Sequence, residues 1–212
     1  MGLALLTLFA TSFIVALSGA MMPGTLLTVT ISESSRRGAM AGPLLIVGHG
    51  ILEIALLAAL LLGLAPLFNQ QWFFILVALL GGGILLWMAV GMFRALPSLS
   101  LILDARQPPK GNLIMTGALM SAVNPYWIIW WATIGIGYIA QARQFGMAGL
   151  MAFFVGHILA DLAWYSVIST AIGNGRALFS DRVYQGVIGV CAALLTVMAC
   201  CLVYRAIATL AA

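Results

Sequence analysis

The sequence predicts an all-α polytopic membrane protein: six transmembrane helices arranged as two inverted three-helix repeats, with helices 1 and 4 broken at proline. Three observations point there. Of 212 residues, 64% are hydrophobic and only 7% charged, with a mean hydropathy of +1.15; soluble domains carry about 25% charged residues. Six apolar runs are long enough to cross a bilayer, which takes about 20 residues each. One phrase occurs twice. Arg36 to Glu53 reads RRGAMAGPLLIVGHGILE and Arg143 to Asp161 reads RQFGMAGLMAFFVGHILAD. Arg, Met-Ala-Gly, Val-Gly-His and an acid four residues after the His recur in order. Such internal repeats, with ionisable groups inside apolar spans, are the mark of a secondary transporter.

The apolar runs fall at about 3–31, 39–65, 72–94, 112–140, 146–173 and 183–209. The breaks between them are short and polar, near Glu33, Asn69, Asp104, Arg143 and Asp181. The chain is therefore read as a single transmembrane domain over 1–212. Repeat 1 covers about 1–95, a connecting loop about 96–111, and repeat 2 about 112–212. The N-terminal run lacks a basic leader and stays apolar past Pro23, so it is read as an uncleaved span. Loop charges set the orientation. Arg36, Arg37, Arg94, Arg106, Lys110, Arg176 and Arg182 fall on one side, Arg143 and Arg205 on the other. Lys and Arg gather on the cytoplasmic side, which predicts both termini outside. Three helices per repeat is an odd number, so the copies must be inverted relative to each other.

Helix 1 contains Met21-Met22-Pro23-Gly24-Thr25 and helix 4 contains Val123-Asn124-Pro125-Tyr126. A proline inside a helix removes a hydrogen bond and clashes with the preceding turn, at a cost of roughly 3 kcal/mol. In lipid, the freed groups must find protein, water or ligand. Asn124-Pro125 also reads as a helix start, with Asn as cap and Pro first. A plain kink is the bland alternative. Two prolines in corresponding places favour a binding site, with half-helix N–H groups aimed at an anionic part of a substrate. Pro23, Gly24, Thr25, Asn124, Pro125 and Tyr126 are the candidate substrate-binding residues.

His49 and Glu53 are four apart in helix 2, as are His157 and Asp161 in helix 5. That spacing puts each pair on one helix face. A charge at the bilayer centre costs about 2.5–3.5 kcal/mol on insertion scales, so the acids should face the bundle interior. A carboxylate kept from water favours its neutral form, and a His beside it can share the proton. These four are the candidate proton- or cation-coupling residues; a merely structural His–acid pair is the alternative. Trp127, Trp130 and Trp131 form a helical stripe that is read mainly as packing, as is Gly81-Gly82-Gly83.

Other chemistries find little support. Cys191, Cys200 and Cys201 form no C-x-x-C, which argues against thiol redox work. The scattered basic residues are no nucleic-acid footprint. There is no H-E-x-x-H, which ranks a membrane metallohydrolase last, and the chain is read as no enzyme. Nothing calls for a cofactor or an assigned metal. The expected partners are a small-molecule substrate, protons and the lipid bilayer; a homo-oligomer is compatible with the sequence.

These features resemble the lysine exporter superfamily of amino-acid translocators, including the threonine and homoserine exporters. The resemblance runs across the whole chain. Pro23-Gly24 matches part of a Pro-Gly-Pro motif in the first helix. Gly48 and Glu53 fall on a Gly-x-x-x-Gly-Asp motif in the second. Asn124-Pro125 matches Asn-Pro-Lys in the fourth, and Asp161 to Tyr165 a D-L-x-W-Y-like stretch in the fifth. Thr25, Leu52 and Tyr126 depart from those motifs, and His49 and His157 are additions. The resemblance implies export of amino acids or related small amines across a prokaryotic inner membrane, coupled to protons or to potential. A divalent metal-cation exporter using the two His–carboxylate pairs is the alternative, since related branches are similar to cation exporters.

Overall fold

The computed structural model describes residues 1–22, 24–68, 70–98, 111–175 and 181–211. Pro23 and Asn69 lie outside them, as do Arg106 and Lys110 of the connecting loop and Arg176. The elements are helical throughout. In chain order they are α1 (Gly2–Ala20), α2 (Thr25–Arg37), α3 (Ala41–Ala59), α4 (Ala65–Phe68), α5 (Gln71–Ala95), α6 (Leu113–Ala122), α7 (Pro125–Trp130), α8 (Ile136–Arg143), α9 (Gly146–Gly175) and α10 (Asp181–Leu210). Among the described residues, five helical stretches are long and apolar enough to span a membrane. A sixth arises if Leu113–Ala122 and Pro125–Arg143, bent by 64° at their junction, count as one span. Large apolar side chains point outward, Leu62 88% and Trp87 77% exposed. A soluble monomer does not tolerate such a surface; lipid does.

Two boundaries differ from the sequence expectation. The polar stretch at Glu33 is helical through Arg37, because Glu33 pairs with Arg36 at 3.3 Å and Arg37 at 2.6 Å, one turn on. Such i,i+3 and i,i+4 pairs reinforce a helix. Gly38, at φ +78°, then ends it, a backbone region that favours glycine. The second span is also not a continuous α-helix. It passes through a π-helical stretch at Leu60–Leu64, and Gly63 has φ +120°.

The main packing pairs are α1 with α9, α3 with α6, and α5 with α10. Glycines set the closest of these. A Cβ on Gly48 would overlap the Ile114 carbonyl, and one on Gly117 the Leu45 carbonyl, so α3 and α6 meet backbone to backbone. A Cβ on Gly156 would likewise crowd the Phe9 carbonyl of α1, where Ser12 donates to the Phe153 carbonyl at 2.8 Å. Small residues that let backbones touch are how membrane helices associate. Gly81 packs against the Pro125 ring and Gly82 against Val203, whereas Gly83 faces open space. Two apolar clusters result. One gathers Leu26, Leu45, Leu85, Leu113, Tyr165 and Leu195; the other Leu8, Leu60, Trp130, Trp131 and Phe153.

Candidate functional site

The repeated Val-Gly-His phrase has a structural logic. Gly48 and Gly156 bring their helices against a neighbouring backbone, and the adjacent His and the acid one turn on reach the bundle centre. The two His–acid pairs do not remain separate. His49 Nε2 lies 3.1 Å from Glu53 Oε1 and 3.6 Å from Asp161 Oδ2. His157 Nε2 lies 3.0 Å from Glu53 Oε1 and 3.5 Å from Asp161 Oδ2. All four side chains are buried, Glu53 completely. Each imidazole therefore bridges both carboxylates, one from each half of the chain.

The two acids differ in their surroundings. Glu53 Oε1 also accepts from Trp127 Nε1 at 3.1 Å and Trp131 Nε1 at 2.9 Å. An indole N–H can only donate, so Glu53 is firmly fixed as an acceptor. Asp161 Oδ2 is buried and has no hydrogen bond; Glu53 Oε2 and His157 Nδ1 share that condition. An unpaired buried polar atom costs about 1–3 kcal/mol. The centre thus holds unused bonding capacity on both carboxylates and on His157 Nδ1.

His49 is held from behind. Its Nδ1 is 2.7 Å from Ser121 Oγ, and Ser121 donates its single hydroxyl proton to the Gly117 carbonyl at 2.8 Å. The Ser121 oxygen must then accept from His49 Nδ1–H, an assignment made from the bonding network. Nε2 is left to face the carboxylates. Ser121 and the indole contacts of Trp127 and Trp131 were not anticipated as site features. A serine one turn before Asn124-Pro125 in an apolar helix was the available signal for the first.

The helix breaks lie beside this cluster. Asn124 caps α7, its Oδ1 accepting from Tyr126 N at 3.1 Å, with Pro125 at the first position. Because Pro125 has no N–H, Asn124 N turns to the Ser121 carbonyl at 3.0 Å. The Met120 carbonyl is taken by Thr25 Oγ1 at 2.6 Å. α2 begins at Thr25 after an extended Gly24, and no side chain caps it. A Cβ on Gly24 would sit 3.2 Å from Asn124 Nδ2, so the two breaks touch.

A cavity joins the breaks to the cluster. Its volume is about 60 Å³. Gly24, Asn124 and Tyr126 line it with all four His–acid residues, Trp127, Trp130 and Tyr165. Among the described residues, no Lys or Arg lines it. Of the other expected substrate contacts, Thr25 is buried against Met120 and Pro125 against Gly81. Pro23 lies outside the described residues.

A multi-pass helical bundle enclosing a small polar cavity, with ionisable groups at its centre, defines a membrane translocator of small molecules. The chain belongs to the LysE type translocator family, whose model matches residues 17–206. Membership makes it a transporter and not an enzyme, and implies export of a small molecule. No curated protein and no solved structure matches the chain.

Proposed function

We propose that the chain exports an amino acid or a related small amine, coupled to protons or to membrane potential, by alternating access between inverted repeats. The observation that carries this reading is the Asp161 carboxylate. It is buried on the cavity wall with an unpaired oxygen, where a substrate ammonium would supply the missing donors. Trp127, Trp130 and Tyr126 on the same wall offer ring faces that attract a cation. A substrate carboxylate fits best at the uncapped start of α2, where Gly24 and Leu26 border the cavity. The Tyr126 N–H is already taken by the Asn124 cap, so α7 contributes less to an anion than its sequence suggests. Glu53, with Trp127, Trp131 and His157 donating to one oxygen, is the fixed anchor, and Asp161 exchanges a proton for substrate.

Inverted symmetry is supported by the helix pairing. Exchanging spans 1, 2 and 3 for 4, 5 and 6 turns the α1–α9 pair into the α6–α3 pair and leaves α5–α10 unchanged, so the observed set maps onto itself. The close approaches of Gly48 to α6 and Gly156 to α1 exchange in the same way. The distribution of basic residues supports both termini outside, and family membership supports a prokaryotic inner membrane. Uptake into proteoliposomes, screened over amino acids and divalent metals with and without a pH gradient, tests the reading. Gradient-driven flux of an amino acid supports it; flux of a metal alone would replace it with the cation-exporter alternative.

A further inference from the structure

We propose that His49, Glu53, His157 and Asp161 form a four-coordinate binding site for a divalent transition-metal ion of the Zn²⁺ type. A metal ion here takes the same Asp161 oxygen that the export reading gives to a substrate ammonium, so the two occupy it in turn and not together. Bonds of about 2.0–2.1 Å to nitrogen and oxygen set tetrahedral ligand–ligand separations of about 3.3–3.5 Å. The four His-to-carboxylate separations are 3.0, 3.1, 3.5 and 3.6 Å. All four ligand atoms lie within 4.8 Å of one another. Four of the six edges are thus close to the required length, and the His–His and Glu–Asp separations are at most 4.8 Å.

Hydrogen bonding alone satisfies this geometry poorly. Ser121 fixes the His49 proton on Nδ1, so a neutral ring turns the Nε2 lone pair toward Glu53 Oε1 at 3.1 Å and Asp161 Oδ2 at 3.6 Å. Lone pair facing carboxylate is repulsive unless a cation lies between. A proton placed there bonds one oxygen and leaves Asp161 Oδ2 without a partner, as found. A metal ion at the centre engages both imidazoles and both carboxylates together. The charge also balances: two carboxylates and two neutral imidazoles carry two negative charges, and among the described residues no Lys or Arg lines the cavity. The donor set, two imidazoles with two carboxylates, suits Zn²⁺, Co²⁺ or Mn²⁺ better than Mg²⁺ or Ca²⁺, which favour all-oxygen shells. Ser121 on His49 Nδ1 is the outer-shell partner that orients a ligating imidazole.

The test is metal binding by the full chain, purified in detergent, stripped with chelator and titrated with Zn²⁺ or Co²⁺. We expect one ion per chain and, with Co²⁺, the intense visible absorption of a four-coordinate centre. His157→Gln and Asp161→Asn should each lower affinity by at least about 100-fold, and Ser121→Ala by roughly 10–100-fold as an outer-shell loss. Ser121→Ala removes no ligand, so it keeps the test open if a ligand variant misfolds. A variant with Ser at Cys191, Cys200 and Cys201 should bind as the wild type does. Absence of stoichiometric binding, a six-coordinate Co²⁺ spectrum, or binding unchanged in Asp161→Asn and Ser121→Ala would each overturn the assignment. Amino-acid flux with no metal bound would leave the export reading standing while this one fails.

Discussion

Neutralising the two central acids one at a time should separate anchoring from exchange. Glu53→Gln keeps the shape of the side chain and removes its charge. Three donors converge on Glu53 Oε1: His157, Trp127 and Trp131. Hydrogen bonds to a charged partner contribute about 1.5–3 kcal/mol and neutral ones about 0.5–1.5. The loss is then about 1 kcal/mol per donor, or about 3 kcal/mol in all. The new amide NH₂ adds to this, since it takes the place of Oε2, which has no partner. Asp161→Asn loses no hydrogen bond at Oδ2 and relieves repulsion from Glu53, so its cost should be about 1 kcal/mol or less. For a chain of this size 1 kcal/mol is about 2–4 °C of Tm. In metal-free detergent, Glu53→Gln should therefore lower the unfolding midpoint by about 6–12 °C and Asp161→Asn by less than about 4 °C. Transport should show the opposite order of interest: Asp161→Asn, though stable, should lose pH-driven net flux. Equal thermal losses, or a stable Asp161→Asn protein with wild-type flux and pH dependence, would refute the division of labour.

Gly48→Val should break the α3–α6 contact, because even a Cβ there overlaps the Ile114 carbonyl; helix association and folded yield should fall sharply, whereas Gly83→Ala, facing open space, should change neither. His49→Gln should shift the pH optimum of transport while leaving some flux, because an imidazole tunes a neighbouring carboxylate without having to carry its charge; an unchanged pH profile would count against that role. An amino amide should compete weakly for transport against the matching amino acid if the start of α2 holds a carboxylate; equal competition would reduce the break to a kink. A single Cys at Gln70, in a background lacking Cys191, Cys200 and Cys201, should react with an impermeant reagent from outside only, and labelling from inside alone would invert the topology.

Much of this was legible because membranes restrict what a sequence can do. Hydropathy marks the spans, and an acid in an apolar run has few uses, so Glu53 and Asp161 stand out. The His–acid spacing showed that each pair shares a helix face, yet not that the pairs interlock. That depends on backbone contacts at Gly48 and Gly156 that bring α3 and α9 to a common centre. Trp127 and Trp131 read as packing since indoles are usually anchors or filler, and periodicity does not reveal an N–H aimed at one carboxylate. Thr25 looked like a pocket residue from its place beside Gly24; its hydroxyl instead serves the Met120 carbonyl, which a proline five residues later had left without its usual donor. The end of α2 was misjudged for a related reason. Polarity suggested a loop at Glu33, but local ion pairing keeps the segment helical.

The Thr25–Met120 bond joins two interruptions that lie about a hundred residues apart in the chain. Each interruption alone would be a free joint, able to flex on its own timetable. Pinned together, with Gly24 lying against Asn124, they form a single articulation shared by the two halves. Bending at one break must either carry the other with it or first surrender the bond. Under the alternating-access reading proposed above, the two breaks would then move as one piece.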